Sequence, residues 1–257
     1  MFLVGHAIVA FLIAYIICRI FKINQGVSFA LAMVIGTIPD IDIVTQALGI
    51  MPHKAFTHSL IVSAGIGSVI FLTARFGFKQ ASAIAMIYAL AYLQHLMDDI
   101  IIGTLNILYP IGNLPIGIGI SYGSLTHEVI EFLLLAVAAA VIISTSFRTS
   151  NDSTRMLKED HGSDSSSSFV SLFRFSTIDK ISYVLLILSL LFSFGYLLYG
   201  IKSLSRLIID TQLEIALFVL LHISAVALVS FLMLVARHYA NLERSLVTTK
   251  RYYGHRR

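Results

Sequence analysis

Seven apolar runs recur along the chain, at residues 2–21, 26–38, 59–77, 80–101, 128–147, 181–201 and 213–236. Nothing else in the sequence constrains the fold as strongly. A helix needs about 20 apolar residues to cross the hydrocarbon of a bilayer. Within that layer every backbone polar group must be paired inside the protein, which selects helices for runs of this length. The expected fold is therefore all-α: a polytopic transmembrane helical bundle of about seven apolar segments. The second run has only 13 residues, or about 20 Å of helix. It reads as a short or broken helix, of a kind tolerated at membrane depth only against protein or a wet cavity.

Composition excludes a soluble globular domain. Hydrophobic residues make up 57% of the 257 and charged residues only 12%, with a mean hydropathy of +0.87. A soluble domain carries about 25% charged residues. The single cysteine, Cys18, excludes a disulfide framework and a thiolate metal site. The net charge of +4 invites a nucleic-acid reading, but its distribution argues against one. With the N-terminus outside and all seven segments crossing, 15 lysines and arginines fall inside. Only Lys54, Lys202 and Arg206 fall outside. This bias places the protein in the cell membrane as a multi-pass chain with a cytoplasmic C-terminus. Its basic tail then meets the cytoplasmic leaflet of the lipid bilayer, and no nucleic acid is expected. The N-terminal run carries its positive charge after the apolar stretch and has no small-residue cleavage site, so it reads as a retained first helix.

The polar, serine-rich stretch 148–180 lacks apolar periodicity and reads as a linker. It divides a membrane-embedded unit, 1–147, from a two-helix appendage with a basic tail, 181–257. Under this topology the ionisable residues of the first unit gather at one end of the bundle. His6 opens the first segment. Asp40 and Asp42 follow the second, behind Pro39. His53 and His58 precede the third, with Thr57 placed to cap it or to orient a carboxylate. His95, Asp98 and Asp99 end the fourth, where i, i+3 and i, i+4 spacing sets either aspartate beside the histidine. Carboxylates near a bilayer with few basic partners are costly unless paired or metal-bound. Mixed imidazole and carboxylate donors suit zinc, with manganese or iron as alternatives. His127, Glu128 and Glu131 form a weaker set, because charged helix starts are common. His222, mid-span, reads as a packing or hydrogen-bonding histidine. The glycine-rich loop IGNLPIGIGISYG matches no nucleotide fingerprint; it reads as a connector or as an interfacial loop over the site.

The motifs GH at 5–6, PDID at 39–42, HKAFTHS at 53–59, HLMDD at 95–99 and LYP at 108–110 together resemble the YdjM-like inner-membrane metal-dependent hydrolases. The resemblance covers about the first 135 residues and leaves the C-terminal unit outside. It implies a divalent metal site with His6, Asp40, Asp42, His53, His58, His95 and Asp99 as the matched positions. Distance from His95 favours Asp99 and distance to Pro110 favours Asp98. The chain departs from the family pattern at Ile43, where a histidine is usual, and at Lys54 and Ala55, where HRG is usual. The first departure removes one donor; the second removes a bidentate arginine grip on phosphate. The resemblance implies a membrane-embedded metal-dependent hydrolase and assigns no substrate; the expected depth of the site near the headgroups suggests a phosphate or carboxylic ester, with a lipid or lipid-linked phosphate as substrate. Asp42 or Asp98 is then the general base, and Lys54 meets substrate charge. An ion or proton transporter and a metal-stabilised interaction protein without catalysis are the competing readings.

Overall fold

The structure is a computed structural model and describes residues 1–23, 27–47, 49–50, 53–54, 56–158, 181–188, 190–191, 219–225 and 227. Helix α1 (Leu3–Ile20) carries no charge before Arg19. Helix α2 (Phe29–Thr37) follows, N-capped by Ser28, whose hydroxyl accepts the Leu31 N–H at 3.1 Å. A 3-10 turn at Ile38–Ile41 leads into the short helix α3 (Asp42–Ala47). Then come α4 (Leu60–Leu72), extended by a π-turn to Gly77, and α5 (Ser82–Ile101). A two-residue antiparallel ladder pairs β1 (Leu105–Asn106) with β2 (Pro115–Ile116). Helix α6 (Leu125–Lys158) closes the set.

Among the described residues, four helical stretches are long and apolar enough to span a membrane: Leu3–Ile20, Leu60–Gly77, Ser82–Ile101 and Leu125–Ser144. The all-α membrane bundle is thus realised. The second apolar run is short, as expected, because nine residues of α2 give only about 14 Å of helix. Segments 181–201 and 213–236 lie largely outside the described residues, although 181–188 and 219–225 are helical. Helix α6 continues to Lys158, past the expected start of a linker at 148; the rest of that linker lies outside the described residues.

Helix α1 packs on α2 and α5, α4 packs on α5, and α6 packs on α1. Small side chains make the first of these contacts close. Ala10, Ala14, Ala32 and Ala91 are completely buried, and Gly36 lies where a Cβ would come within 2.6 Å of Ala10 Cβ. Without a hydrophobic force between helices in lipid, such small residues supply the packing that holds a bundle together. Large apolar side chains, including Val69, Leu72, Leu133 and Val137, face outward, as lipid-facing positions should. Tyr183, Leu186, Leu190, Leu221 and Ala225 join the same buried cluster as α1, so the described parts of the C-terminal unit share one core with the N-terminal unit.

This packing decides where the polar residues go. Helices α1, α4 and α6 begin at one end of the bundle, and α2 and α5 finish there. His6 consequently meets Asp98, His58 meets His95, and Glu131 reaches the backbone of Phe2.

Candidate metal centre

Four imidazoles point their Nε2 atoms at two carboxylates. Asp40 Oδ1 lies 3.4 Å from His95 Nε2, 3.6 Å from His58 Nε2 and 3.9 Å from His53 Nε2. Asp40 Oδ2 lies 3.9 Å from His6 Nε2. Asp99 adds Oδ1 at 3.5 Å from His6 Nε2 and Oδ2 at 3.2 Å from His58 Nε2. Two groups of donors have atoms within 4.8 Å of one another: His6, Asp40, His95 and Asp99; and Asp40, Asp42, His53 and His58. Asp40 belongs to both. Of these residues only His53 is partly open; the others are buried.

The outward nitrogens explain why the inward ones converge. His6 Nδ1 donates to Asp98 Oδ2 at 3.1 Å. His53 Nδ1 donates to Asp42 Oδ1 at 2.5 Å. His95 Nδ1 donates to the Gly36 carbonyl at 2.9 Å. Thr57 gives its hydroxyl proton to Asp42 Oδ2 at 2.6 Å and accepts from His58 Nδ1 at 2.9 Å. With each Nδ1 engaged in this way, each ring is left with its Nε2 towards the centre. Ligating histidines are oriented in this way by carboxylates and carbonyls behind them.

The donor set fits a cation. His58 Nε2 and His95 Nε2 face each other at 3.0 Å, which two lone pairs cannot do without positive charge at them. His6 Nε2 is buried and makes no hydrogen bond, a costly state that a metal ion relieves. In the metal-free chain a proton serves instead. Burial opposes charge on His58, but hydrogen bonds to Asp40, Asp42 and Asp99 prevail and raise its pKa to about 10. Because the metal-free ring holds its proton across neutral pH, metal uptake must expel it. We expect binding near pH 7 to release protons and apparent affinity to fall as the pH is lowered. An indicator dye in weak buffer, read while metal is titrated in, checks this; uptake without proton release would contradict it.

The two aspartates expected to supply a general base, Asp42 and Asp98, both lie in hydrogen-bonded surroundings. Asp98 binds the outward nitrogen of His6 and belongs to neither donor group; of the two adjacent aspartates it is Asp99 that faces the centre. Asp42 lies within reach of the second group, yet its oxygens already accept from His53, Thr57 and the Lys54 N–H at 3.0 Å. Burial works against its ionisation, but the hydrogen bonds from His53 and His58 hold its carboxyl below the usual range. Each aspartate thus bonds a histidine ring nitrogen, Asp42 that of His53 and Asp98 that of His6. Asp98→Ala is expected to lower metal affinity about 10–100-fold, the usual cost of losing such a partner, with Asp98→Asn losing less; competition with a chelating dye measures both.

Lys54 sits at the edge of the centre. Its Nζ is 3.0 Å from Asp99 Oδ1, which the Met1 amino group also contacts at 2.6 Å. Lys54 adopts a left-handed backbone, φ 64°, a conformation costing a non-glycine residue about 1 kcal/mol or more. Bonds at both ends of the residue, to Asp42 and to Asp99, hold it there.

The weaker set on α6 is fully buried but plays a different part. His127 Nδ1 accepts the Gly123 N–H at 2.9 Å, and Nε2 donates to Glu131 Oε1 at 2.9 Å. Neither nitrogen is left to ligate. Glu131 Oε1 also accepts the Phe2 N–H at 2.6 Å, tying α6 to the start of the helix that carries His6. His222 packs its ring edge-on to Phe2, centroids 6.0 Å apart. The Gly36 carbonyl and the Glu131 anchor escaped the sequence reading. A GT pair ending a short apolar run and a Glu four residues after a His were their only traces.

A buried cluster of imidazoles and carboxylates at one end of an apolar helical bundle defines a membrane protein with a site able to hold metal. The family model for the YdjM inner membrane protein matches residues 1–233, and the chain belongs to that family. The match runs well past the expected limit near residue 135 and takes in most of the C-terminal unit. No curated protein and no solved structure matches the chain.

Proposed function

We propose that the chain is a metal-dependent hydrolase of the membrane interface, acting on a phosphate or carboxylic ester of a lipid or lipid-linked substrate. The observation that carries this reading is the convergence of four Nε2 atoms and two carboxylates, each imidazole oriented from behind. His6, His53, His58, His95 and Asp40, with Asp42 in the second donor group, are the residues to hold a divalent ion, zinc first, with Asp99 beside them. When bound, such an ion supplies positive charge that polarises an ester oxygen and acidifies water. Asp99, buried with Oδ2 3.2 Å from His58 Nε2, is the carboxylate beside the centre that would orient a water molecule and accept its proton. Lys54, paired to the other Asp99 oxygen, brings positive charge to the same edge for an anionic substrate. An orientation with this end outside the cytoplasm agrees with the 15-to-3 distribution of basic residues. A transport path has less support, because buried alanines of α1, α2 and α5 pack the region behind the centre.

The test is to load the detergent-purified protein with zinc, manganese or iron and assay phosphate and carboxylic esters, lipidic ones included. Asn at 99 keeps an oxygen donor but loses basicity. Asp99→Asn is therefore expected to retain bound metal and to lose hydrolysis by about 100-fold or more. A loaded wild type that cleaves neither ester class would reject the hydrolase reading in favour of a structural metal.

A further inference from the structure

From Ile100 to Thr126 the chain contains no Asp, Glu, Lys, Arg or His. This stretch joins α5 to α6 at the end of the bundle that carries the metal centre. Its inner side is anchored: Ile102 and Leu105 are buried, Ile118 N–H donates to the Ile100 carbonyl at 2.8 Å, and Leu60 N–H donates to the Ile107 carbonyl at 2.9 Å. Its outer side is apolar and open, with Ile111 79% and Ile118 69% exposed and Leu114 and Ile116 exposed beside them. Ile41 and Ile50, from the other loop at this end, are exposed as well.

Water is a poor solvent for such a surface, since exposed apolar patches of this kind mark contact with a partner or a membrane. The hydrocarbon centre is equally unsuited to irregular backbone. The backbone here is largely self-satisfied, however. The N–H groups of Ile107, Tyr109, Ile111 and Gly112 are all bonded within the loop. Leu114 N–H is held by the Asn106 side chain at 2.8 Å, and Pro110 and Pro115 have no N–H to satisfy. Gly117 permits the tight fold, as a Cβ there would lie 2.0 Å from the Gly103 carbonyl oxygen. Low backbone demand, absent charge and outward isoleucines together match the boundary between headgroups and acyl chains, where amphipathic elements settle about 5–10 Å deep. The patch is also continuous with the lipid-facing start of α4, where Leu60 and Ile61 are exposed.

We propose that the loop from Ile107 to Gly119 is embedded in the bilayer interface as a wedge beside the metal centre, so that the centre opens towards lipid. Gly103 ties the wedge to the site, since a Cβ there would lie 3.9 Å from Lys54 Nζ. Resting on the hydrolase reading, this gives the substrate a sideways route from the leaflet to the centre, with its acyl part remaining in lipid.

The chain has no tryptophan, which allows a clean optical test independent of catalysis. Ile111→Trp and Ile118→Trp would be made separately, with Val69→Trp as the lipid-facing control, and reconstituted in phosphatidylcholine vesicles with or without brominated acyl chains. The expected result is blue-shifted emission from both loop positions. Bromolipid quenching should be comparable with the control, and acrylamide should quench little. Red-shifted emission quenched by acrylamide would place the loop in water and overturn the proposal. Protection from both quenchers would mean that protein covers the loop, a second copy or another partner, and would overturn it too. Because no hydrolysis is read, failure here is separable from failure of the hydrolase reading.

Discussion

Asp40→Ala is expected to empty the centre of metal. Both oxygens of this buried carboxylate face imidazole nitrogens, Oδ1 towards His53, His58 and His95 and Oδ2 towards His6. It is the one residue common to both donor groups. Removing a partner from behind a ligand costs about 10–100-fold in affinity; removing a carboxylate that faces all four rings should cost more. It also removes negative charge that holds a cation among the imidazoles. Elemental analysis after chelation and reloading reads the outcome, with His58→Ala beside it. Stoichiometric metal in wild type and none in either variant is expected. Undiminished metal in both variants would sink the ligand assignment.

Gly36→Ala is the second large effect. Its Cβ would lie 2.6 Å from Ala10 Cβ, 3.1 Å from Gln94 Nε2 and 3.2 Å from the Ala91 carbonyl oxygen. Three helices meet there, so backbone must move, and overpacking of this kind costs about 1–3 kcal/mol. The displaced residue also carries the carbonyl that accepts from His95 Nδ1. A single methyl group is thus expected to lower the unfolding temperature in detergent and to weaken metal binding together. Gly65→Ala is the control. No neighbour lies within 4 Å of a Cβ at that helical position, and alanine there is expected to be neutral or to stabilise by up to about 1 kcal/mol. If Gly36→Ala kept both properties of wild type, the close α1–α2–α5 approach would not be what aims His95.

The membrane class follows from local chemistry. Apolar runs of about 20 residues with almost no charge have one solvent available, and that is written residue by residue. The residues of the centre were visible for a related reason: in so apolar a chain His6, Asp40, His58, His95 and Asp99 are conspicuous, and alternation of the spans brings them to one end. The second segment announced its own shortness. What each polar group does was not visible. Asp98 and Asp99 are neighbours with the same side chain, and the packing of α5 on α1 sets one at Nδ1 of His6 and the other at its Nε2. Asp42 precedes a loop whose fold wraps His53, Lys54 and Thr57 around it, and it lies in the second donor group with His53 and His58.

The sequence alone therefore settled the solvent, the helical class and the inventory of donors, because hydropathy and residue type are properties of short stretches. Only the tertiary structure shows which nitrogen or oxygen of each residue faces the centre. That facing is set by long-range packing: a glycine against two helices, a backbone carbonyl behind His95, and a glutamate on α6 that holds the first turn of α1.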